Sequence, residues 1–533
     1  MSKRQTTFLL SLVAIAACFL APLLIGQPNP VARTETAVTP APVKASSPEI
    51  LSKKPADTAL AREIDRAIDT SDLTRARWGV FVTSMKDDRV LYSRNGDKLF
   101  TPASNMKIYP TAVALDLLGA DYHWRTSVYA DKQKDAAGVI DGNLTLYGRG
   151  APDLDSYRKN GLASLADQLY QRGVRQVRGN IIGDDSYFRG ELYGLGWQWN
   201  DLQWYFGAEP SALTINENSV DLTIAPANKV GVNATLTLNR GSNYLQLTNH
   251  TTTAERDATT TIGINRGLSD NELLVWGDFP IGGRPFGAAL SVPKPALWAA
   301  TLFKEALIAR GIKVEGEARS RDFRVAASDK FDPQKAFELA QENSAALSEI
   351  VRHTNKESDN LYAELILRTL GKERGASAAD SDARKNRERG DDEAGLAVIR
   401  FWLNRIGVPT DDLAIRDGSG LSRLDLVTPE ATARLLVAIA RARSATAFRD
   451  SLPIAGRDGT LAGRLRREAG RIFAKTGTLT YDHSLSGYAV TPQNETLAFS
   501  IFCNDAAGQG NPVLIIDQIA NLIAESGSVS TAK

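Results

Sequence analysis

A serine and a lysine three residues apart constrain this chain more than any other feature: Ser104 and Lys107, in the stretch Thr101-Pro102-Ala103-Ser104-Asn105-Met106-Lys107. The stretch reads as the start of a helix, with Thr101 as N-cap and Pro102 in the first helical position, where the N–H that proline lacks has no partner to lose. Positions i and i+3 share a helix face, which brings the Lys107 amine within reach of the Ser104 hydroxyl. A first-turn serine also sits among unpaired backbone N–H groups at the positive end of the helix dipole, which favours a developing negative charge. A serine hydroxyl is a weak nucleophile until a base takes its proton. Lysine can be that base when burial or a second cation lowers its pKa.

The pair alone decides little, because a chain of 533 residues holds such spacings by chance, and Ser156-Tyr157-Arg158-Lys159 is a second one with nothing catalytic around it. Two further stretches turn it into a set. Ser358-Asp359-Asn360 opens a helix carrying Leu361, Leu365 and Leu370, and Lys475-Thr476-Gly477 lies on a strand near the C-terminus. Taken singly, the first is an ordinary N-cap and the second an ordinary strand end. Together, in the order S-x-x-K, S-D-N, K-T-G, they supply the parts of one acyl transfer.

Ser104 would attack a carbonyl, Lys107 accept its proton, Ser358 relay that proton to the leaving amine, and Asn360 hydrogen-bond a substrate amide. Lys475 offers a positive charge to a substrate carboxylate and, as a second cation, helps keep Lys107 neutral. Thr476, Gly477 and Thr478 continue the same strand, with Gly477 leaving room for substrate along its edge. The N–H groups of Ser104 and Thr478 are the candidates for an oxyanion hole.

Composition narrows the alternatives. With 63 basic against 62 acidic residues there is no net field to draw in nucleic acid, so no nucleic-acid partner is expected. Two cysteines, Cys18 and Cys503, exclude a disulfide framework, and four scattered histidines without H-E-x-x-H spacing argue against a zinc site. No metal or organic cofactor is expected.

The chain is too long for one compact core. Lys3 and Arg4 precede an apolar run from Phe8 to Gly26, so residues 1–26 read as an export signal or a membrane anchor. Ile15-Ala16-Ala17-Cys18 resembles a lipoprotein cleavage box that would leave Cys18 lipidated, while the whole run, about 19 residues, is also long enough to span a bilayer uncleaved. Either route gives an extracytoplasmic, periplasmic location, with membrane attachment through the N-terminal segment in the second. Residues 27–56, rich in Pro, Ala, Thr and Ser, form a flexible linker. A helix is expected from Asp57 to Ile68, two strands around a Lys86-Asp87-Asp88 turn, and then the Ser104 helix, bent at Pro110 and ending at Gly119. From 126 to 283 short alternating runs broken by Gly, Asn and Asp indicate an inserted β-rich region of two subdomains, with one helix from Gly161 to Gln171. Residues 57–125 and 284–526 then make one discontinuous catalytic domain, closed by three adjacent strands and a helix, and 527–533 are a tail. The aromatic stretch Trp197 to Tyr205 reads as satellite core or a ligand contact. The charged stretch Gly371 to Asp392 reads as a solvated loop or exposed helix.

The three motifs in this order resemble those of the class C low-molecular-mass penicillin-binding proteins, the D-alanyl-D-alanine carboxypeptidase/endopeptidases. The resemblance runs from about Asp57 to Glu525 and extends to Ala212-Leu213-Thr214-Ile215-Asn216-Glu217-Asn218, Asp417-Gly418-Ser419-Gly420-Leu421-Ser422-Arg423 and Gly456-Arg457-Asp458-Gly459-Thr460-Leu461. It implies an α/β serine β-lactamase/transpeptidase-like domain, a five-stranded antiparallel sheet flanked by helices and interrupted by β-rich insertions between the first two motifs. It implies peptidoglycan stem peptides ending in D-Ala-D-Ala, and D-amino-acid cross-links, as substrates, and β-lactams as inhibitors acylating Ser104. In relatives an aspartate of the inserted region binds the amino group of the diaminopimelate side chain, and Asp184 is the residue expected there. A β-lactamase is disfavoured by the long insertion, and a pure scaffold by the intact motifs.

Overall fold

The central sheet is assembled from both ends of the chain. In the computed structural model, Arg77–Ser84 pairs antiparallel with Val90–Arg94 on one side and with Thr496–Asn504 on the other. Asp482–Val490 and Ile472–Leu479 complete an antiparallel sheet of five strands, with Ile472–Leu479 at its edge. The structure describes residues 51–156, 159–240, 244–268, 270–325, 327–375, 389–508 and 510–527. The N-terminal apolar segment with Cys18, most of the linker, the tail from 528 and residues 376–388 of the charged stretch lie outside them.

Strands covered on both faces cannot show polar alternation. Thr496–Asn504 is accordingly buried at every position after its first. Leu497, Phe499 and Ile501 face one core, where Leu60, Ile64 and Ile68 of the helix Pro55–Asp69 meet Ile516, Ile519 and Ile523 of the helix Pro512–Glu525. Ala498 and Phe502 face the other, with Tyr109 and Val113 of the helix Ile108–Leu117 and Leu435 and Leu436 of the helix Pro429–Ile439. The five-stranded antiparallel sheet flanked by helices is the one expected. Among the described residues no helix is long and apolar enough to cross a membrane.

The region between the first two motifs contains a second core running from Val128 to Ala340. A five-stranded mixed sheet forms its base, ordered Ala318–Arg321, Ile181–Asp184, Leu144–Tyr147, Arg125–Ala130, Phe337–Asn343. Three three-stranded sheets accompany it, one around Ser219–Ala225, one around Glu272–Pro280 and a short one around Gln176–Val177. The helix Gly161–Gln171 has its expected bounds. The far boundary differs from the expected one at 284. Helix Pro295–Ala309 sends Trp298, Phe303 and Leu307 into the second core, and Phe337–Asn343 pairs with Arg125–Ala130, so the insertion returns to the first core only after Asn343. A helix following a β-rich stretch looks locally like a change of domain, and only the long-range pairing shows that it is not.

The charged stretch from 371 also begins and ends inside packed helices. Gly371 is buried in the helix Asn360–Arg374 and Asp391 opens the helix Asp391–Arg405; a Cβ at Gly371 would lie 1.8 Å from the Asp391 carbonyl oxygen.

Candidate active site

Ser104 lies on a turn pressed against the edge of the central sheet. Ala103–Lys107 is a 3-10 turn, and the α-helix begins only at Ile108. Thr101 does not cap it. Its N–H instead donates to Asn504 Oδ1 at 2.8 Å, and its carbonyl accepts from Asn504 Nδ2 at 3.1 Å, which ties the entry of the turn to a central strand. Ala103 takes a left-handed φ of 48°. Pro110 falls in the first turn of the α-helix, directly after the change of helix type, and not in its interior.

The turn and the strand Ile472–Leu479 touch at Gly477. A Cβ there would come within 2.2 Å of Ser484 Oγ and 2.7 Å of the Pro102 carbonyl oxygen. Ser484 Oγ donates to that same carbonyl at 2.7 Å and also hydrogen-bonds Asn105. The glycine therefore admits the Ser104 turn, a different reason from the substrate clearance expected. Ser104 itself is half-buried and Thr478, at the edge, is exposed.

Lys107 is fully buried, with Nζ 2.9 Å from Ser104 Oγ, 2.6 Å from Asn360 Oδ1 and 2.6 Å from the Ser419 carbonyl oxygen. The carbonyl and the amide oxygen can only accept. The assignment of Asn360 follows from its Nδ2, which donates to the Phe206 carbonyl at 2.8 Å. A neutral amine has two N–H groups and one lone pair; with both N–H groups spent on these acceptors, the lone pair faces the Ser104 hydroxyl. Burial pushes Lys107 down to about 8, against the opposing pull of Asp417, Asp359 and Glu364.

Lys475 makes the second pair. Its Nζ donates to Ser358 Oγ at 2.9 Å and to the Thr476 carbonyl at 2.8 Å. It too is fully buried, and burial followed by repulsion from Lys107 holds its pKa well below the ordinary lysine value. Thr476 Oγ1 donates to Thr460 Oγ1 at 2.8 Å, joining the strand to Gly459-Thr460-Leu461. Ser358 has a φ of 63°, and the next residue, Asp359, caps the helix Asn360–Arg374 by accepting from Tyr362 N at 3.0 Å. S-D-N is thus both a helix cap and part of the site.

The carbonyl that receives Lys107 is held by buried carboxylates. Asp417 accepts from Ser419 Oγ, Gly420 N and Ser422 N at 3.0, 2.7 and 2.8 Å, and Glu364 Oε1 accepts from Gly418 N and Ser419 N at 2.9 Å each. The stretch Asp417 to Arg423 belongs to the family resemblance, but the role of its Ser419 carbonyl shows only in three dimensions.

Asp184 is not at this site. It is fully buried inside the insertion, where Arg321 Nη1 donates to its Oδ2 at 3.1 Å and Ser186 N to its Oδ1 at 3.0 Å. Its neighbour Asp185 accepts from Ser211 Oγ at 2.8 Å, is pushed up to about 7 by burial, and lines a cavity of about 430 Å3 that includes no motif residue.

The aromatic stretch does reach the cleft. Trp197 Nε1 donates to Asp417 Oδ2 at 2.8 Å, Ser422 Oγ donates to the Leu195 carbonyl at 2.7 Å, and the Phe206 carbonyl receives Asn360. It carries Asp201, whose carboxyl is raised by burial against the opposing charge of Arg423. Arg423 Nη1 in turn donates to the Thr480 carbonyl at 3.3 Å, at the end of the K-T-G strand. Asp201 is a carboxylate of this stretch that sequence reasoning did not single out. The signal available was a carboxylate inside a cluster of aromatics.

A buried lysine between a serine and an S-D-N asparagine, with a second serine–lysine pair on the edge of a five-stranded antiparallel sheet, defines a serine acyl-transfer enzyme of the penicillin-recognising class. Residues 60–526 match the D-Ala-D-Ala carboxypeptidase 3 (S13) family, and the chain belongs to that family. It is 34% identical over 481 residues to the D-alanyl-D-alanine carboxypeptidase of Actinomadura sp. strain R39, covering 88% of this chain and 85% of the relative. It is 26% identical over 453 residues to the D-alanyl-D-alanine carboxypeptidase DacB of Haemophilus influenzae, covering 82% and 88%. The crystal structure of penicillin binding protein 4 from Haemophilus influenzae superimposes with a TM-score of 0.73 at 23% identity, over 87% of this chain and 99% of that one. The protein is accordingly a serine-type D-Ala-D-Ala carboxypeptidase, a hydrolase.

Proposed function

We propose that Ser104 is the nucleophile and Lys107 its general base. Ser104 Oγ attacks the carbonyl between the two D-alanines of a stem peptide as Lys107 Nζ takes its proton. The tetrahedral oxyanion is received by the N–H groups of Ser104 and Thr478. The proton passes through Ser358 to the leaving amine, the C–N bond breaks, and D-alanine departs. Water then attacks the ester, and Ser104 regains its proton as the acid is released. Asn360 holds the penultimate amide, and Lys475, with Thr476 and Thr478, receives the terminal carboxylate; that carboxylate favours the protonated lysine that burial disfavours. Gly477 shapes the turn on which Ser104 sits.

The observation that carries this reading is the set of partners around Lys107 Nζ, which leaves its lone pair to Ser104. The same machinery serves D-amino-acid cross-links, so endopeptidase action belongs to the proposal. Asp201 takes the place expected of Asp184 as the group that receives a side-chain amine of the substrate, because it lies beside Arg423 at the end of the K-T-G strand. The work is extracytoplasmic, with residues 1–26 directing export.

The test is the intact mass of the protein after exposure to benzylpenicillin, with peptide mapping. A persistent adduct on Ser104, absent in Ser104→Ala, is expected; an unmodified wild-type protein that also leaves the drug intact would overturn the assignment.

A further inference from the structure

Beside Ser358, three side chains from separate stretches of chain converge. Glu217 comes from the turn Asn216–Asn218 of the insertion, His353 from the helix Leu347–Lys356, and Asp359 from between Ser358 and Asn360. His353 Nε2 lies 3.2 Å from Asp359 Oδ2 and 3.8 Å from Glu217 Oε1, and one ligand atom of each residue lies within 4.8 Å of the other two. Glu217, His353 and Asp359 border a cavity of about 260 Å3, together with Tyr205, Phe206 and Asn360, which gives an ion a way in.

We propose that Glu217, His353 and Asp359 bind a divalent transition-metal ion of the zinc class, joining the inserted region to the Ser358 turn. Zinc takes imidazole nitrogen and carboxylate oxygen at about 2.0–2.2 Å in a tetrahedral array, which separates the ligand atoms by about 3.3–3.5 Å. The distances of 3.2 and 3.8 Å lie either side of that range. His353 Nε2 is within hydrogen-bond distance of Asp359 Oδ2 alone, and Glu217 Oε1 at 3.8 Å lies too far to take a hydrogen bond from the ring. A metal held between the three groups would draw both carboxylates onto one centre with the imidazole nitrogen.

Two of the three ligands are already oriented. Asp359 Oδ1 is held by Tyr362 N, which fixes Oδ2 toward His353, and the imidazole packs on the Tyr362 ring at 4.5 Å between centroids. Glu217 and Asp359 bring two carboxylates to one imidazole, a donor set that a divalent cation can bridge. One nitrogen with two carboxylates suits zinc-type ions, whereas calcium and magnesium prefer all-oxygen sites. The residues fall at 217, 353 and 359, a pattern that no short metal motif describes.

The inference concerns binding and does not depend on the acyl-enzyme reading. The test uses the full-length protein stripped with chelator and titrated with cobalt(II), then zinc, following the cobalt absorption spectrum and the metal content after gel filtration. About one equivalent of cobalt, displaced by zinc and lost in both His353→Gln and Glu217→Gln, is expected. No retained metal in the wild type would overturn the proposal. Unchanged uptake in Glu217→Gln, with the protein still folded by circular dichroism, would overturn it as well by moving the metal to another histidine. Penicillin acylation of Ser104 is read separately and stays interpretable whichever way the metal result falls.

Discussion

At the scale of single residues, the proposed chemistry turns on two buried lysines. Only neutral Lys107 can take the Ser104 proton, and burial places its pKa at about 8. The acylation rate with benzylpenicillin should therefore rise through about pH 8 and level off above it, falling roughly tenfold per unit well below, as stopped-flow measurements between about pH 6 and 9 would read. A flat profile would remove Lys107 from the base role, and Lys107→Ala should slow acylation by roughly 10²–10⁴-fold. Asp201→Asn should raise KM by about tenfold for a stem peptide with a free side-chain amine, and much less for its N-acetylated form, when the two are compared in a D-alanine release assay. The residues that the structure brings together around Lys107 and Lys475 were legible because each motif is local and chemically specific. The Ser419 carbonyl was not, since any residue supplies a carbonyl and only the fold brings this one to Lys107. Asp184 was misplaced because a carboxylate in sequence does not announce whether an arginine awaits it, and Arg321 lies far along the chain.

Secondary-structure elements repeat that division. Strands and helices whose pattern follows from their own residues were readable, among them Pro55–Asp69, Gly161–Gln171 and the three C-terminal strands. The helix type at Ser104 was not, because the 3-10 turn is imposed by contacts with Asn504 and Ser484 rather than by propensity. Gly477 is the point where strand and turn meet. Gly477→Ala should force the turn off the strand, destabilising the protein by about 1–3 kcal/mol in urea unfolding and slowing acylation disproportionately. Wild-type acylation kinetics in that variant would mean that the turn tolerates the displacement.

For the molecule as a whole, two cores share one chain. The Asp184–Arg321 pair lies within the second, joining the adjacent strands Ile181–Asp184 and Ala318–Arg321. Arg321→Ala would leave a fully buried carboxylate unpaired and should cost about 3–5 kcal/mol of stability in denaturant unfolding. Penicillin acylation by the molecules that remain folded should be unchanged, because the pair makes no contact with the motifs. The central sheet has a different vulnerability, which lies in the order of synthesis. Arg77–Ser84 emerges early, but its partner Thr496–Asn504 comes last among the strands. A nascent chain thus carries an apolar strand with one side unpaired until residue 504 has been made, while the second core, complete by Asn343, can close first. A chain stopped between Lys107 and Ile472 would possess Ser104 and Lys107 yet have no sheet edge to set them against, so premature termination there should yield an aggregating fragment and not a weakened enzyme.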